Sequence, residues 1–262
     1  MSWRKYLLIP QLQLYSLRAP RNQARAWDRF WAGVRSTGEG GDVLWDVERS
    51  GEADFTAEQL RRHADLSLPM VDLGCGNGRR ARALGTLCPR VIGLDVSAAA
   101  IARAREESDG LSDVDFRVAD ASDAAAGARL ASEIGDANVH VRGVLHVVPP
   151  AARPAVVRTV AHLLGARGTL FLSETNAAGD PLDYLLTQGV TPTRMPAMVR
   201  RLVASGIRAP SHFGEAELLR HFPPSQWTVL ASGPTHMYGL PVHPGEAPQR
   251  IPSYFAVLRA LG

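Results

Sequence analysis

Val71-Asp72-Leu73-Gly74-Cys75-Gly76-Asn77-Gly78 decides the fold. A short apolar run, Met70–Leu73, ends in glycines at alternate positions, and residues with helical spacing, Arg79–Leu87, follow. The spacing predicts a strand, a tight turn and the start of a helix. Glycines here accept positive φ and let a ligand come close to the backbone. The pattern is G-x-G-x-G. A dinucleotide fingerprint needs its third glycine where Arg79 stands, so that motif is not met. A plain glycine-rich βα turn is the alternative.

Downstream, Val91-Ile92-Gly93-Leu94-Asp95-Val96-Ser97 carries a carboxylate at the tip of a second strand. An acid there is placed to accept both hydroxyls of a ribose. Asp95 as a simple turn residue is the other reading. Ser97 suits the N-cap of the next helix. In Phe116-Arg117-Val118-Ala119-Asp120-Ala121 an acid lies just past a third strand. Asp120 can accept from an exocyclic amine while the Ala121 N–H donates to a ring nitrogen, which together read adenine. Asp120 as the N-cap of the following helix stands equally open.

The same rhythm continues. Apolar runs Met70–Leu73, Val91–Leu94, Val114–Val118, Val139–Leu145 and Thr169–Leu172 alternate with helical stretches at Arg79–Leu87, Ala98–Glu107, Ala121–Ile134 and Pro154–Leu164. Such alternation predicts βαβ units and a parallel sheet with right-handed connections. From residue 177 to 224 it gives way to proline-punctuated helices. Two strands, Trp227–Ala231 and Tyr254–Leu258, close the chain. No helical period lies between them, so they should pair antiparallel. The expected fold class is α/β: a Rossmann-like, seven-stranded, mostly parallel sheet with helices on both faces. Residues 1–52 read as an N-terminal arm and aromatic lid. Residues 53–262 read as the main domain, with 177–224 as a helical cap over the substrate.

In the arm, Trp27, Phe30 and Trp31 share one helical face, and Trp45 follows the break at Gly38-Glu39-Gly40-Gly41. Before them, Met1 to Arg25 mixes apolar and basic residues, and Pro10 should interrupt any helix. Gln11 and Gln13 break the apolar stretch, which argues against a secretory signal. The arm reads as a flap over an apolar pocket, a weak membrane-surface contact, or a segment packed on its own domain or a second subunit.

The 262 residues are 45% hydrophobic and 21% charged, which excludes a disordered chain. No apolar run is long enough for a transmembrane helix. The net charge is only +3, and Lys5 is the sole lysine among 29 basic residues, so charge gives no case for nucleic acid. Cys75 and Cys88 are too few for a disulfide framework or a zinc site, and no His, Cys or carboxylate set has metal spacing. A reducing, cytoplasmic setting is expected.

The set Asp72-x-Gly74-x-Gly76-x-Gly78, Asp95 and Asp120 resembles the class I S-adenosylmethionine-dependent methyltransferases. The resemblance implies strand order 3-2-1-4-5-7-6, with the cofactor across the carboxyl ends of the first three strands. It implies that Asp72 and the loop backbone of Gly74, Cys75, Gly76 and Gly78 hold the methionine part. Asp95 and Val96 would hold the ribose, Asp120 and Ala121 the adenine, with S-adenosylhomocysteine as product. Arg142 is placed to pair with the cofactor carboxylate.

The end of strand four would then lie beside the transferable methyl. His146 is either a base for an acceptor hydroxyl or a packed histidine. Resembling enzymes that methylate planar nitrogens carry Asn-Pro-Pro-Tyr here; this chain has Val148-Pro149-Pro150. Glu174 either orients the substrate or caps a helix. Trp27, Trp31, Trp45 and Tyr184 are the further substrate candidates, while His236, Tyr238 and His243 read as rim or loop residues. The expected reaction is O-methylation of a small apolar or aromatic molecule by a monomer or homodimer. C- or N-methylation, or a cyclase or decarboxylase that keeps the cofactor, are the alternatives. A non-catalytic binding subunit would be expected to show a degraded glycine loop.

Overall fold

The structure, a computed structural model, describes residues 3–47, 51–176, 179–210, 212–241 and 247–261. His243 and Ala177, where the cap was expected to begin, lie outside them. Seven strands form one sheet: β1 Met70–Leu73, β2 Val91–Asp95, β3 Val114–Val118, β4 Asn138–Arg142, β5 Leu170–Thr175, β6 Trp227–Gly239 and β7 Gln249–Ala260. Their order is β3-β2-β1-β4-β5-β7-β6. The first five run parallel; β7 runs antiparallel to both β5 and β6.

Strand alternation sends neighbouring residues to opposite faces, and the central strands β1, β2 and β5 are buried on both, which is why they are largely apolar. Val71, Leu73, Val139, Val141, Leu170 and Leu172 pack on one side, with Val156, Val160 and Leu163 of helix α7 (Arg153–Leu164). Met70, Val91 and Phe171 pack on the other, with Leu60 of α3 (Glu52–His63), Ala81 and Leu84 of α4 (Arg79–Leu84), and Ile101 and Ala104 of α5 (Ala98–Glu106). Helix α6 (Ala124–Ile134) joins the first side.

Several elements differ from expectation. β4 stops at Arg142, and residues 143–148 form a turn, so His146 sits in a loop past the strand. β6 and β7 are far longer than the two predicted runs, so His236 and Tyr238 are strand residues. Pro234 hides β6 from pattern reading, and an edge strand tolerates it. Pro10 lies in the first turn of α1 (Ile9–Ser16), after a 3-10 helix at Trp3–Leu8, and so opens the helix instead of breaking it.

The arm and residues 179–210, the segments expected to form the lid, pack on each other. Leu8, Leu12 and Tyr15 pack with Val190, Met195, Val199 and Val203, the last two on α9 (Ala197–Ser205). Lys5 Nζ bonds Asp183 at 2.8 Å and Asp180 at 3.0 Å beside α8 (Pro181–Thr187), and Arg201 meets Asp42 at 2.9 Å. Phe30 and Trp31 of α2 (Gln23–Ala32) pack with Val43 and Ala100, which fastens the lid to α5. The last helix of the predicted cap, α10 (Glu215–His221), belongs instead to the core: Phe213, Leu218 and Phe222 are buried with the α7 residues. No helix among the described residues is long and apolar enough to cross a membrane.

Candidate active site

A cavity of about 890 Å³ opens over the carboxyl ends of β1 to β4, beneath the lid. Asp72, Gly74, Cys75, Gly76, Asp95, Val96, Asp120, Ala121 and Arg142 line it. Gly74 and Gly76 line its floor, whereas Gly78, expected beside them, packs toward Phe116 and is not part of the wall; all three have positive φ, and a Cβ on Gly76 would lie 2.7 Å from the Trp31 ring. Trp31 therefore closes on the loop itself.

Asp72 is buried; its Oδ1 lies 2.7 Å from His140 Nδ1, while Oδ2 has no hydrogen-bond partner among the described residues. An orphaned buried carboxylate oxygen on a cavity wall fits a cationic ligand group. Asp95 ties the loop to β2: Oδ2 accepts the Gly76 N–H at 3.0 Å and Oδ1 the Ser97 N–H at 2.9 Å. Burial pushes the Asp95 carboxyl up to about 6, against the pull of these two N–H groups. Ser97 caps α5 as expected, accepting from Ala100 N. Asp120 is not a helix cap. Asp123 fills that role for α6, and Asp120 Oδ1 accepts from Ser122 N and Oγ at the cavity edge. Burial, with Asp95 and Asp72 nearby, raises the Cys75 thiol well above its ordinary range, so it offers backbone and bulk and no thiolate.

Arg142 forks onto Glu52, and Arg80 Nη2 reaches the same carboxylate at 3.0 Å. Burial pushes the Glu52 carboxyl up, but the two guanidinia outweigh it and leave it below its ordinary value. Arg80 and Arg142 both line the cavity, and their guanidinium groups suit a ligand carboxylate.

The matches to known proteins agree with this geometry. Residues 70–168 match the family model described as a methyltransferase domain. A SAM-dependent methyltransferase from Anabaena variabilis ATCC 29413 is 27% identical over 93% of this chain and 97% of its own, with a TM-score of 0.78. The chain carries a methyltransferase domain and is similar to S-adenosylmethionine-dependent methyltransferases. A structure from the study of disulfide conversion to a thioacetal group during echinomycin biosynthesis is 21% identical, covering 91% of this chain and 92% of that one at TM-score 0.67. A SAM-dependent methyltransferase from Methanosarcina mazei is 15% identical, covering 76% and 95%, at TM-score 0.54. These two share the fold. No curated protein sequence matches the chain.

The same cavity is also lined by Trp27, Trp31, Trp45, His146, Val147, Val148, Tyr184, Leu185, Val199, Leu202 and Tyr238. Trp27 meets Trp45 edge-on at 5.7 Å, and Phe30 stacks on Trp45 at 5.3 Å. Burial raises the Tyr184 hydroxyl to about 12, so it stays protonated and serves as a donor.

His146 Nδ1 lies 2.5 Å from Glu174 Oε2. Glu174, expected to face the substrate, is fully buried and absent from the cavity wall. Its Oε1 accepts the N–H groups of Val144 (3.0 Å) and Leu145 (2.8 Å), and Oε2 that of His146 (3.1 Å). Three backbone N–H groups donate to this carboxylate, and Nδ1–H donates a further hydrogen bond to it. The Thr175 N–H also lies 3.3 Å from Nδ1. One nitrogen cannot accept there and donate to Glu174, and the short contact to a charged oxygen decides for Nδ1–H. The basic position of the neutral ring is then Nε2.

Several site residues were invisible in the sequence. Asp46 pairs with Arg79 and accepts from Asn77 Nδ2 at 3.0 Å; Glu52 holds Arg142. Both lie well before the glycine loop in the chain. His140 left a trace: Asn138, His140 and Arg142 put polar groups at alternate positions of a buried strand. Among the described residues no cluster of His, Cys, Asp and Glu could hold a metal.

Proposed function

We propose that this methyltransferase methylates a hydroxyl of a small apolar or aromatic molecule, with His146 as general base. The observation that carries this reading is His146 on a largely apolar and aromatic stretch of the cavity wall, backed from within the core by Glu174. S-adenosylmethionine supplies an activated methyl on a sulfonium, so the chain mainly has to align the acceptor and remove a proton. Asp72 Oδ2 and the amides of the Gly74–Gly78 loop suit the methionine part, with Arg142 and Arg80 toward its carboxylate. Asp95 and Val96 suit the ribose, Asp120 and the Ala121 N–H the adenine. Trp27, Trp31, Trp45 and Tyr184 enclose the acceptor. Its hydroxyl proton passes to His146 Nε2 as the oxygen takes the methyl.

The test is a panel of phenols and apolar alcohols incubated with isotopically labelled S-adenosylmethionine. One labelled methyl on oxygen is expected in at least one product. Label on carbon or nitrogen across the panel removes the assignment.

Asp95 gives a second prediction. Ribose hydroxyls donate to the carboxylate, not to the acid. With the carboxyl at about 6 in the cofactor-free protein, cofactor affinity should be full near neutral pH. It should weaken about tenfold per pH unit below that value, because ligand and proton compete for the same group. Asp95→Ala should cost about 1.5–3 kcal/mol of cofactor affinity and flatten this pH limb. Calorimetric titrations of both proteins across pH 5–8 check it; wild-type affinity in the variant rejects the role.

A further inference from the structure

The N-terminal arm has two faces. Leu8, Leu12 and Tyr15 turn inward and pack under the lid. Turned outward are Tyr6 (55% exposed), Leu7 (47%), Ile9 (39%), Leu14 (65%) and Leu17 (76%). Leu14 and Leu17 stand three residues apart and so on the same side of the helix. Five of the large apolar side chains most open to water thus fall within twelve residues of one arm. The charge of the segment is as one-sided as its polarity. The first 27 residues hold five basic side chains, Arg4, Lys5, Arg18, Arg21 and Arg25, and no acidic one. Asp180 and Asp183 neutralise Lys5. Arg18, Arg21 and Arg25 are exposed and make no ion pair among the described residues.

We propose that this arm docks the protein on an anionic lipid surface. Exposed leucines and aromatics enter the boundary between headgroups and acyl chains, and arginines beside them meet lipid phosphates. The charge decides between occupants. A second copy of the chain seated on this face would bring two sets of unpaired arginines together, and like charges across an interface are costly. An anionic bilayer complements both the apolar face and the charge. The docked arm is also part of the cavity: Leu12, Ser16 and Arg21 line it. Docking therefore brings one wall of the acceptor pocket to the lipid. The inference stands on the arm alone and holds whichever atom is methylated.

The experiment is co-sedimentation of the full chain with vesicles of phosphatidylcholine alone or mixed with phosphatidylserine, at low and high salt. Binding is expected on the mixed vesicles, weakened at least about tenfold by high salt. Leu14→Glu/Leu17→Glu and Arg18→Glu/Arg25→Glu should each lower that binding at least about tenfold. All four side chains are exposed and none lines the cavity, so the melting temperature and turnover on a soluble acceptor should stay unchanged. The proposal falls if wild type remains in the supernatant with both vesicle types, or if the variants bind as wild type does. Sedimentation velocity closes the alternative: a wild-type dimer that Leu14→Glu/Leu17→Glu splits, without vesicle binding, assigns the face to a second copy.

Discussion

Replacing His146 with alanine is expected to lower methyl-transfer turnover about 10²–10⁴-fold, the usual worth of general-base assistance. Cofactor affinity should stay near wild type, because Asp72, Asp95 and the glycine loop do not touch this ring. Stability should fall only modestly. Glu174 keeps its three backbone donors when the imidazole is gone, so no buried carboxylate is stranded. The decisive readout is the dependence of the loss on acceptor acidity. An acidic phenol ionises unaided and should lose little, whereas a weakly acidic alcohol should lose the full factor. A histidine that only packs against the 143–148 turn predicts the reverse: a lower melting temperature and a small loss equal for every acceptor. Parallel slopes of log rate against acceptor pKa in wild type and variant would take His146 out of the chemistry.

The parts of this site that were legible in the sequence are those where short-range pattern and chemistry coincide. The glycine loop, Asp95 and Asp120 each follow a strand directly, so period-two alternation places them without any knowledge of packing. The end of β4 was misread for a physical reason. Val144 and Leu145 continue the apolar run after the chain has turned at Gly143, and Leu145 enters the core from that turn, buried to 2%. Hydrophobicity records burial, and a buried turn resembles a strand. Glu174 was recognised as an acid at the sheet's carboxyl edge, but its direction depends on register. Alternation puts it on the same side as Leu170 and Leu172, under the 143–148 turn, where three N–H groups wait. Glu52 and Asp46 could not be read at all, because their partners Arg142 and Arg79 are brought to them only by the tertiary fold. For the arm, sequence leaves a flap, a surface contact and a packed segment all open, because Trp31 meets Gly76 and Phe30 meets Ala100 only in the tertiary fold.

Glu174→Gln should cost nearly as much turnover as losing the histidine, although Glu174 touches no substrate. On the proposed mechanism it is a positioning residue. In wild type its carboxylate accepts the Nδ1 proton of His146, which leaves Nε2 as the base. In glutamine an amide nitrogen takes the place of one oxygen. That group donates, so the ring must turn its Nδ1 lone pair toward it and carry its proton on Nε2. The tautomer is then wrong for accepting a hydroxyl proton, and a loss of about 10²–10⁴-fold follows. The His146 backbone N–H, which bonds the replaced oxygen at 3.1 Å in wild type, also loses its acceptor, at about 1–3 kcal/mol of stability. Glu174→Ala strips all three N–H groups at once and should unfold far more readily, so glutamine is the informative change. Two readouts separate positioning from mere support. The acceptor-acidity slope of Glu174→Gln should match that of His146→Ala. The double variant should be no slower than either single one, since groups acting as a unit are not additive. If the two losses multiply, or if Glu174→Gln turns over like wild type while melting lower, the carboxylate serves the turn at 143–148 and has no part in proton transfer.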